Sequence, residues 1–185
     1  MKRIACILSF ILLLTGCRSS DASMSRAMEL RTKLQSQEVA FDTAITADYG
    51  KQSYTFQVSC SANVQGEITF SVMKPERISG ITGTLGSRKG SLTFENQALA
   101  FELLADGQLS PVSAPWILLN TLRCGYLTSC AEEGEHLRLS IDDRYEEDAL
   151  HLDIWLDGSD CPIRGEVLWQ GRRILSMDVT NFRFL

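Results

Sequence analysis

The residue whose chemistry is clearest in this sequence is Cys17, a thiol that follows the short segment Leu14–Gly16. The chain begins with the basic pair Lys2–Arg3, and an almost entirely apolar run, Ile4–Leu14, comes next. A basic segment, a short apolar core and small residues before a cleavage site are the parts of a secretory signal peptide. The apolar core has about 11 residues, whereas a helix that spans a bilayer needs about 20. The sequence therefore predicts export of the chain and removal of residues 1–16.

The segment Leu14–Cys17 resembles the lipobox of bacterial lipoproteins, in which the cysteine thiol accepts a diacylglycerol before the signal is cut. The resemblance implies that Cys17 becomes the first mature residue and that a further acyl chain, such as palmitate, is attached to its amine. Two acyl chains anchor a protein stably, because each buried CH₂ contributes about 0.8 kcal/mol. We expect residues 17–25 to be the lipidated cysteine and a polar tether, on the extracytoplasmic face of the cell membrane. The alternative is an ordinary secretory signal with an incidental cysteine.

Composition and charge limit what the exported part can be. Hydrophobic residues make up 44% of the sequence and charged residues 22%, which is typical of a globular domain. Residues 26–185 have the length of a single domain. The formal net charge is −5, and nucleic-acid affinity depends mainly on cationic contacts to phosphates, so we expect no nucleic-acid partner. The lipid anchor would have to hold the protein to the membrane by itself, because there is no polybasic segment.

Four cysteines remain after the signal and the acylated Cys17, namely Cys60, Cys124, Cys130 and Cys161. An even number of cysteines in an exported protein permits disulfides. Cys124 could pair with Cys130 across a turn, which would leave Cys60 and Cys161 as the second pair. The alternative is four free thiols, since free cysteine is among the most buried residue types. The C-x-x-C spacing of structural zinc sites is missing, and we predict no metal and no other cofactor.

Side chains that could catalyse a reaction do not form a recognisable set. The acidic run between residues 142 and 148 could bind calcium, but it lacks the central glycine and distal glutamate of a calcium loop and is typical of a solvated turn. His136 and His151 are the only histidines, and the G-x-S-x-G nucleophile pattern does not occur. The adjacent carboxylates of Glu132 and Glu133 are common in turns and do not indicate glycosidase chemistry. We therefore predict that the protein is not an enzyme.

Two helices are predicted from spacing and end signals. The first runs from Ser25 to Gln37, and Leu30 lies beside its apolar stripe. The stripe consists of Met24, Ala27, Met28, Arg31 and Leu34. The second lies between Ser113, which can cap it, and Gly125, which can end it, with Pro115 in the first turn. Its apolar residues lie on nearly every side, which predicts a buried helix.

A period of two dominates the rest of the chain and predicts antiparallel strands with one face on a core. Turn residues such as Asp, Asn and Gly separate the segments. The predicted strand segments are 39–45, 54–60, 68–72, 77–85, 91–94, 98–104, 126–131, 136–141, 149–156, 162–170 and 173–184.

One long antiparallel sheet with two helices predicts an α+β fold, in which a curved sheet forms an incomplete half-barrel wrapped around two or more helices. Such a sheet can leave an apolar cavity between its concave face and the helices. The alternative for each large apolar residue is a place in an ordinary core. The candidate cavity residues are Phe70, Phe101, Trp116, Leu119, Tyr126, Trp155 and Trp169.

The last forty residues carry a resemblance to a known family. The segments Leu152–Asp157 and Pro162–Val167, a turn at Gly171 and a closing strand that ends Val179–Phe182 resemble the C-terminal meander of the LolA-like carriers. This family includes outer-membrane lipoprotein-sorting proteins and membrane-anchored relatives of the GerS type. The order of a lipobox, an N-terminal helix, strands and an apolar helix extends the resemblance over most of the chain.

The resemblance implies a half-barrel whose concave face is lined with apolar side chains and covered by helices. Carriers of this kind bind acyl chains there, so the first expectation is an anchored lipoprotein that binds an acyl chain or another apolar ligand. The second expectation is an anchored interaction module with a filled core, which recruits or regulates an envelope or cell-wall enzyme, as in spore germination. The lipobox does not decide between a one-membrane and a two-membrane envelope.

Overall fold

The computed structural model describes residues 18–86, 91–93, 104–105 and 109–185. Within these ranges the chain forms two α-helices, α1 (Arg18–Ser36) and α2 (Ala114–Cys124). The strands are β1 (Val39–Asp48), β2 (Ser53–Ala62), β3 (Ile68–Lys74), β4 (Thr82–Leu85), β5 (Ser91–Thr93), β6 (Tyr126–Glu133), β7 (His136–Asp142), β8 (His151–Leu156), β9 (Pro162–Trp169) and β10 (Arg172–Phe184). Short 3₁₀ turns lie at Glu76–Ile78 and Pro111–Ser113.

The ten described strands form one open antiparallel sheet in the order β5-β4-β3-β2-β1-β10-β9-β8-β7-β6. The first and last strands of the chain therefore lie side by side at its centre, and β5 and β6 are its two edges. The predicted α+β fold with a curved antiparallel sheet and two helices is confirmed. The strand predicted at 98–104 lies outside the described residues except for Leu104, which forms an isolated bridge with Leu109.

Alternation along the strands decides which side chains form the core. In β8, Leu152, Ile154 and Leu156 are fully buried, while the residues between them are half-buried. Leu152 lies between Ile141 of β7 and Val167 of β9, and both are buried as well. Successive side chains of a strand point to opposite faces, so these rows form a continuous apolar layer on one face of the sheet. The predicted period of two is confirmed here.

Helix α2 is buried, as its apolar sequence predicted. Leu118 at its centre is fully buried, and the strand opposite it carries Gly165. A methyl group added to Gly165 would lie 3.1 Å from Leu118 Cδ1 and 3.1 Å from Met177 Cε. The missing side chain in β9 therefore makes the space that the helix needs to pack against the sheet. Burial of a leucine of this kind contributes about 1.5–3 kcal/mol.

The end of α2 is set by close packing at Gly125. A methyl group there would lie 2.6 Å from Ile141 Cγ2 and 2.7 Å from the carbonyl oxygen of Thr121. The φ angle of Gly125 is −69°, so space rather than a left-handed backbone requires glycine. At the other end, Ser113 makes no side-chain cap bond with the helix, and its hydroxyl donates to the carbonyl of Ser110 at 2.6 Å instead.

Helix α1 differs from its prediction at the start and in its buried face. It is already helical at Arg18, the first described residue, and not only from Ser25, so the expected tether is helical from Arg18 onward. Met24 and Met28, predicted in the apolar stripe, are 41% and 46% exposed. The stripe that packs on the domain consists of Ser23, Ala27, Leu30 and Leu34. These positions have the same three- and four-residue spacing, so spacing alone did not distinguish this stripe from the predicted one.

Polar contacts join the two helices at the end of α2. Arg31 of α1 donates from Nε to the carbonyl of Leu122 at 2.9 Å and from Nη2 to that of Gly125 at 2.8 Å. Gln35 donates from Nε2 to the carbonyl of Arg123 at 3.0 Å. The last carbonyls of a helix have no partners within the helix, so these side chains supply donors that α2 itself lacks.

Arg123 extends this contact to the sheet. Its side chain is buried and donates to the carbonyls of Asn63 at 3.0 Å and Val64 at 2.6 Å, in the turn between β2 and β3. Burial lowers the pKa of the Arg123 guanidinium from its usual range. The two helices and this turn are thus joined by a continuous set of hydrogen bonds, which holds the helices against the concave face.

Candidate functional site

A cavity of about 340 Å³ opens between α2, the end of β9 and the loop that joins β7 to β8. Its apolar wall is formed by Leu85, Leu109, Trp116, Ile117, Leu150 and Trp169. Ser113, Asp143, Arg144 and Asp148 line it as well and supply polar groups. Binding sites for small molecules are typically cavities of about 300–1,000 Å³ with mostly apolar walls and a few polar groups. The cavity therefore has the size and lining for one slender apolar ligand.

Two other cavities differ in character. One of about 310 Å³ lies at the turn between β1 and β2 and is lined mainly by polar and charged residues such as Asp48, Lys51 and Arg173. The other, of about 370 Å³, is lined by residues of β1, β2, β3 and β10. They include Asp42, Thr43, Met73, Lys74 and Thr180. Among the described residues that line them, neither has an aromatic side chain, so the cavity beside α2 is the stronger candidate.

The structure brings two of the predicted cavity residues together. Trp116 at the start of α2 and Trp169 at the end of β9 both line the 340 Å³ cavity. Phe70 and Leu119 lie instead in the continuous core, where they are 1% and 3% exposed. Phe101 lies outside the described residues.

Tyr126 and Trp155 lie away from the cavity. Tyr126 is 53% exposed, and its ring contacts that of Tyr145 at 5.6 Å between centroids. Trp155 alternates with buried residues of β8 and so lies on the outer face, where the Arg164 guanidinium is 4.9 Å from its ring centroid. Its Nε1 donates to Glu133 Oε2 at 3.0 Å. The alternation in the sequence already places Trp155 opposite the core.

Sequence reasoning did not identify the contribution of the loop between β7 and β8. Asp143 accepts a hydrogen bond at Oδ1 from the backbone N–H of Leu150 at 2.7 Å, and its own N–H donates to the carbonyl of Leu150 at 3.0 Å. This pair of bonds closes the loop and sets Leu150 in the cavity wall. Burial raises the pKa of the Asp143 carboxyl, while the Leu150 N–H and Arg144 oppose that effect. The only signal in the sequence was the acidic run itself.

Two buried N–H groups at the cavity have no acceptor among the described residues. One is Nε1 of Trp116 and the other is Nε of Arg144. The rest of the Arg144 guanidinium is engaged, since Nη2 donates to the carbonyl of Asp148 at 2.8 Å and lies 3.0 Å from its Oδ2. In the described part of the chain, no group of three or more His, Cys, Asp or Glu residues is placed to hold a metal ion.

The histidines do not form a catalytic pair with a nucleophile in the described ranges. His151 Nδ1 is 2.7 Å from Asp142 Oδ1, and its Nε2 is 3.6 Å from Asp153 Oδ1. The nearby hydroxyl of Ser140 donates to Asp153 at 2.6 Å rather than to the imidazole. His136 is exposed at the start of β7. Both nitrogens of His151 therefore face carboxylates, and the imidazole has a structural environment.

The four described cysteines are free thiols in the structure. Cys60 is buried in β2, whereas Cys124 is exposed at the end of α2. Cys130 and Cys161 are half-buried, and burial raises the pKa of both thiols. Burial raises the pKa of Cys60 much further, because its thiolate would be almost completely desolvated. The disulfide pairs considered from the sequence are therefore not formed in this structure.

We expect thiol labelling to distinguish these sites in the folded protein. Because thiolate is the reactive form, Cys124 should react first with a maleimide, Cys130 and Cys161 more slowly, and Cys60 only after unfolding. Mass spectrometry would count the labels on a chain that lacks residues 1–17, in which only these four cysteines remain. A Cys124→Ser variant should lose the label that is added fastest. Fewer than four labels in unfolded, unreduced protein would instead indicate disulfides.

No family model matches the sequence, and no curated protein matches it. Solved structures with a similar fold include a LolA superfamily protein from Nitrosomonas europaea, with a TM-score of 0.40 and 8% identity over 86% of this chain and 93% of that one. A domain described as an outer membrane lipoprotein-sorting protein, from Vibrio parahaemolyticus, has a TM-score of 0.45 and 10% identity over 89% and 93%. The Pseudomonas aeruginosa MucA/MucB complex has a TM-score of 0.41 and 11% identity over 89% and 57%.

These similarities concern the fold, since every identity among them is far below the level that carries function. In the described ranges, neither helix is both long and apolar enough to cross a membrane.

Proposed function

We propose that this protein is a bacterial lipoprotein, anchored through Cys17 on the extracytoplasmic face of the membrane, whose half-barrel binds an acyl chain or another apolar ligand. The observation that carries the proposal is the cavity of about 340 Å³ walled by Trp116 and Trp169. Apolar surface that lines an accessible cavity gains free energy when a ligand excludes water from it. An acyl chain has the narrow, flexible shape that such a cavity accepts.

The position of α1 supports the anchored arrangement. The chain is already helical at Arg18, the first described residue and the one that follows the proposed lipid attachment site. Arg26 ties it to the turn between β8 and β9, since its Nε donates to Asp160 Oδ1 at 2.8 Å. A helix fixed in this way leaves few flexible residues between the lipid and the domain, so the half-barrel would stay close to the bilayer surface.

Native mass spectrometry tests ligand binding directly. A soluble form of the mature chain that lacks residues 1–17, and so carries neither the signal nor the lipidated cysteine, would be expressed and purified without detergent. Its mass would be measured under native and denaturing conditions. We expect a native mass excess that disappears on denaturation and an extract that contains a lipid. Equal masses, also after incubation with phospholipid vesicles, would contradict the ligand-binding proposal.

Substitution of the lipidation site tests the anchor separately. We expect Cys17→Ser to move the protein from the membrane fraction to the soluble exported fraction, because the acyl chains are the only proposed anchor. The wild-type chain should incorporate radiolabelled palmitate, and the variant should not. The matched control is Cys6→Ser, which changes a cysteine inside the signal and should leave both results unchanged. A Cys17→Ser protein that stays in the membrane would contradict the proposal.

A second candidate function is an anchored module that recruits or regulates an envelope or cell-wall enzyme. The exposed pair Tyr126 and Tyr145 favours it, and Tyr126 is the first residue of the edge strand β6. Exposed tyrosines are common at protein interfaces, and an edge strand offers unpaired backbone groups. Crosslinking in native membranes should then capture one stoichiometric partner, and Tyr145→Ala should lose it. Crosslinking that leaves the chain without a partner would argue against this function.

A further inference from the structure

We infer that the cavity is selective for a zwitterionic amphiphile, whose head group combines oxygen acceptors with an amine, as in an aminophospholipid. The inference rests on the proposed ligand-binding function and adds the chemistry of the head group. It is drawn from three residues that line the cavity, two with buried donors that lack an acceptor among the described residues and one with a half-buried carboxylate.

The donors are two N–H groups on residues that line the cavity. Trp116 Nε1 belongs to α2 and Arg144 Nε to the loop between β7 and β8. Both are buried without a hydrogen-bond acceptor among the described residues, and the nearest carboxylate oxygen to Arg144 Nε, Oε2 of Glu146, lies 3.8 Å away. Most buried polar groups in native proteins have a hydrogen-bond partner. Two orphaned donors in one cavity wall therefore indicate a ligand that brings oxygen atoms, such as the ester and phosphate oxygens of a lipid.

The acceptor is the carboxylate of Asp143. One of its oxygens accepts the N–H of Leu150, and the other has no donor among the described residues. Within those residues it also has no ion-pair partner at contact distance, because Arg144 is paired with Asp148. A half-buried carboxylate in this position attracts a cationic donor, which an ammonium group supplies.

Charge argues against a ligand that is only anionic. Arg144 is the one cation that lines the cavity in the described part of the chain, and Asp148 already neutralises it. A fatty-acid carboxylate would lie beside Asp143 with no free cation to balance it, and like charges close together repel. A head group with a phosphate and an amine satisfies the two donors and Asp143 together, and it adds no net charge.

The experiment compares two lysolipids and one fatty acid, which share a twelve-carbon acyl chain and differ in the polar group that it carries. Lysophosphatidylethanolamine, lysophosphatidylglycerol and dodecanoic acid would be titrated below their critical micelle concentrations against the mature chain, by isothermal calorimetry. We expect the ethanolamine lipid to bind about tenfold more tightly than the glycerol lipid, since a charge-assisted hydrogen bond contributes at about that level. Glycerophosphoethanolamine, which has the head group without the chain, should show no binding and so excludes a free phosphate compound as the ligand.

Asp143→Asn is the decisive variant, because an asparagine side chain can still accept the N–H of Leu150 but has no charge. We expect it to bind the two lysolipids equally. Glu147→Gln, an exposed substitution in the same loop, is the matched control and should keep the tenfold preference. If circular dichroism shows that Asp143→Asn is unfolded, Trp116→Phe takes its place: it removes one donor, and both phosphate-bearing lipids should bind several-fold more weakly.

The outcomes separate this inference from the proposed function. Equal binding of all three chain-bearing probes, or tightest binding of an anionic one, would overturn the head-group selectivity and leave the acyl-binding function standing. Binding of none of them would overturn the function itself. A preference for ethanolamine that persists in a folded Asp143→Asn protein would show that this carboxylate is not the group that selects the amine.

Discussion

Trp116→Glu is expected to weaken the binding of an acyl-chain probe by about a hundredfold or more, because burial of a charged carboxylate costs several kcal/mol and each 1.4 kcal/mol is a factor of ten. Trp116 supplies part of the apolar cavity wall at the start of α2. The new carboxylate would stay hydrated in the empty cavity and would lose that hydration when a chain entered. A fluorescent fatty acid, titrated against the mature chain, measures the loss.

The chain offers a matched control in Trp155→Glu. Trp155 is also a half-buried tryptophan, but it lies on the outer face of β8 between Arg138 and Arg164 on the neighbouring strands. A glutamate there would face two guanidinium groups as well as the Glu133 carboxylate, and it would keep its contact with water on the outer face. We therefore expect the protein to fold and to bind the probe with unchanged affinity. If the two variants lost binding to the same extent, general destabilisation would explain the result and the cavity assignment would be wrong.

Leu118→Ala is expected to lower the free energy of unfolding by about 3–5 kcal/mol, at the upper end of the range for buried leucines. Leu118 is fully buried, and the strand position opposite it is Gly165, which has no side chain to fill the space that the leucine leaves. A cavity that cannot collapse is the costly kind. Urea unfolding, followed by circular dichroism, measures the change in the free energy of unfolding. The control is Met28→Ala on the exposed side of α1, which should change that free energy by less than about 0.5 kcal/mol.

Gly165→Ala provides a second test of the same contact. Alone it should destabilise the protein by about 1 kcal/mol or more, because its methyl group would press on Leu118 and Met177 at 3.1 Å. In the Leu118→Ala protein the same methyl group enters the vacated space, so Gly165→Ala should cost nothing or stabilise. We expect a favourable coupling energy of about 1–2 kcal/mol in the double-mutant cycle. Additive changes would mean that the two residues do not share this space.

The strands and their buried faces could be predicted from the sequence because period-two patterning depends only on the local backbone. In β8 the alternation of Leu152, Ile154 and Leu156 with half-buried residues identified the core face correctly. The same alternation puts Trp155 on the opposite face, so the prediction that Trp155 lines the cavity was wrong. The same reasoning applies to α2, since a helix with apolar residues on nearly every side has no alternative to burial. These predictions needed no knowledge of which strands are neighbours.

The candidate site was less predictable, because a cavity is formed by elements that are far apart in the chain. Trp116 and Trp169 line the same cavity because α2 packs on the sheet against β9. Phe70 and Leu119 lie within the packed core. Asp143 joins them because its loop is closed by reciprocal hydrogen bonds with Leu150. Aromatic character alone does not distinguish a residue that lines a cavity from one that fills a core.

The sequence by itself determined the α+β class, the alternating faces of the strands and the buried character of α2, and it contains the signal and Cys17 pattern on which the anchoring proposal rests. Each of these depends on residues close together in the chain. Only the tertiary structure decided the buried stripe of α1, the order of the strands and the set of residues that lines the cavity. The physical reason is that several possible stripes of α1 have the same three- and four-residue spacing. In the same way, local sequence does not distinguish an aromatic residue that lines a cavity from one that fills the core. Long-range packing, such as Arg31 on the end of α2 and Gly165 beneath Leu118, selects among them.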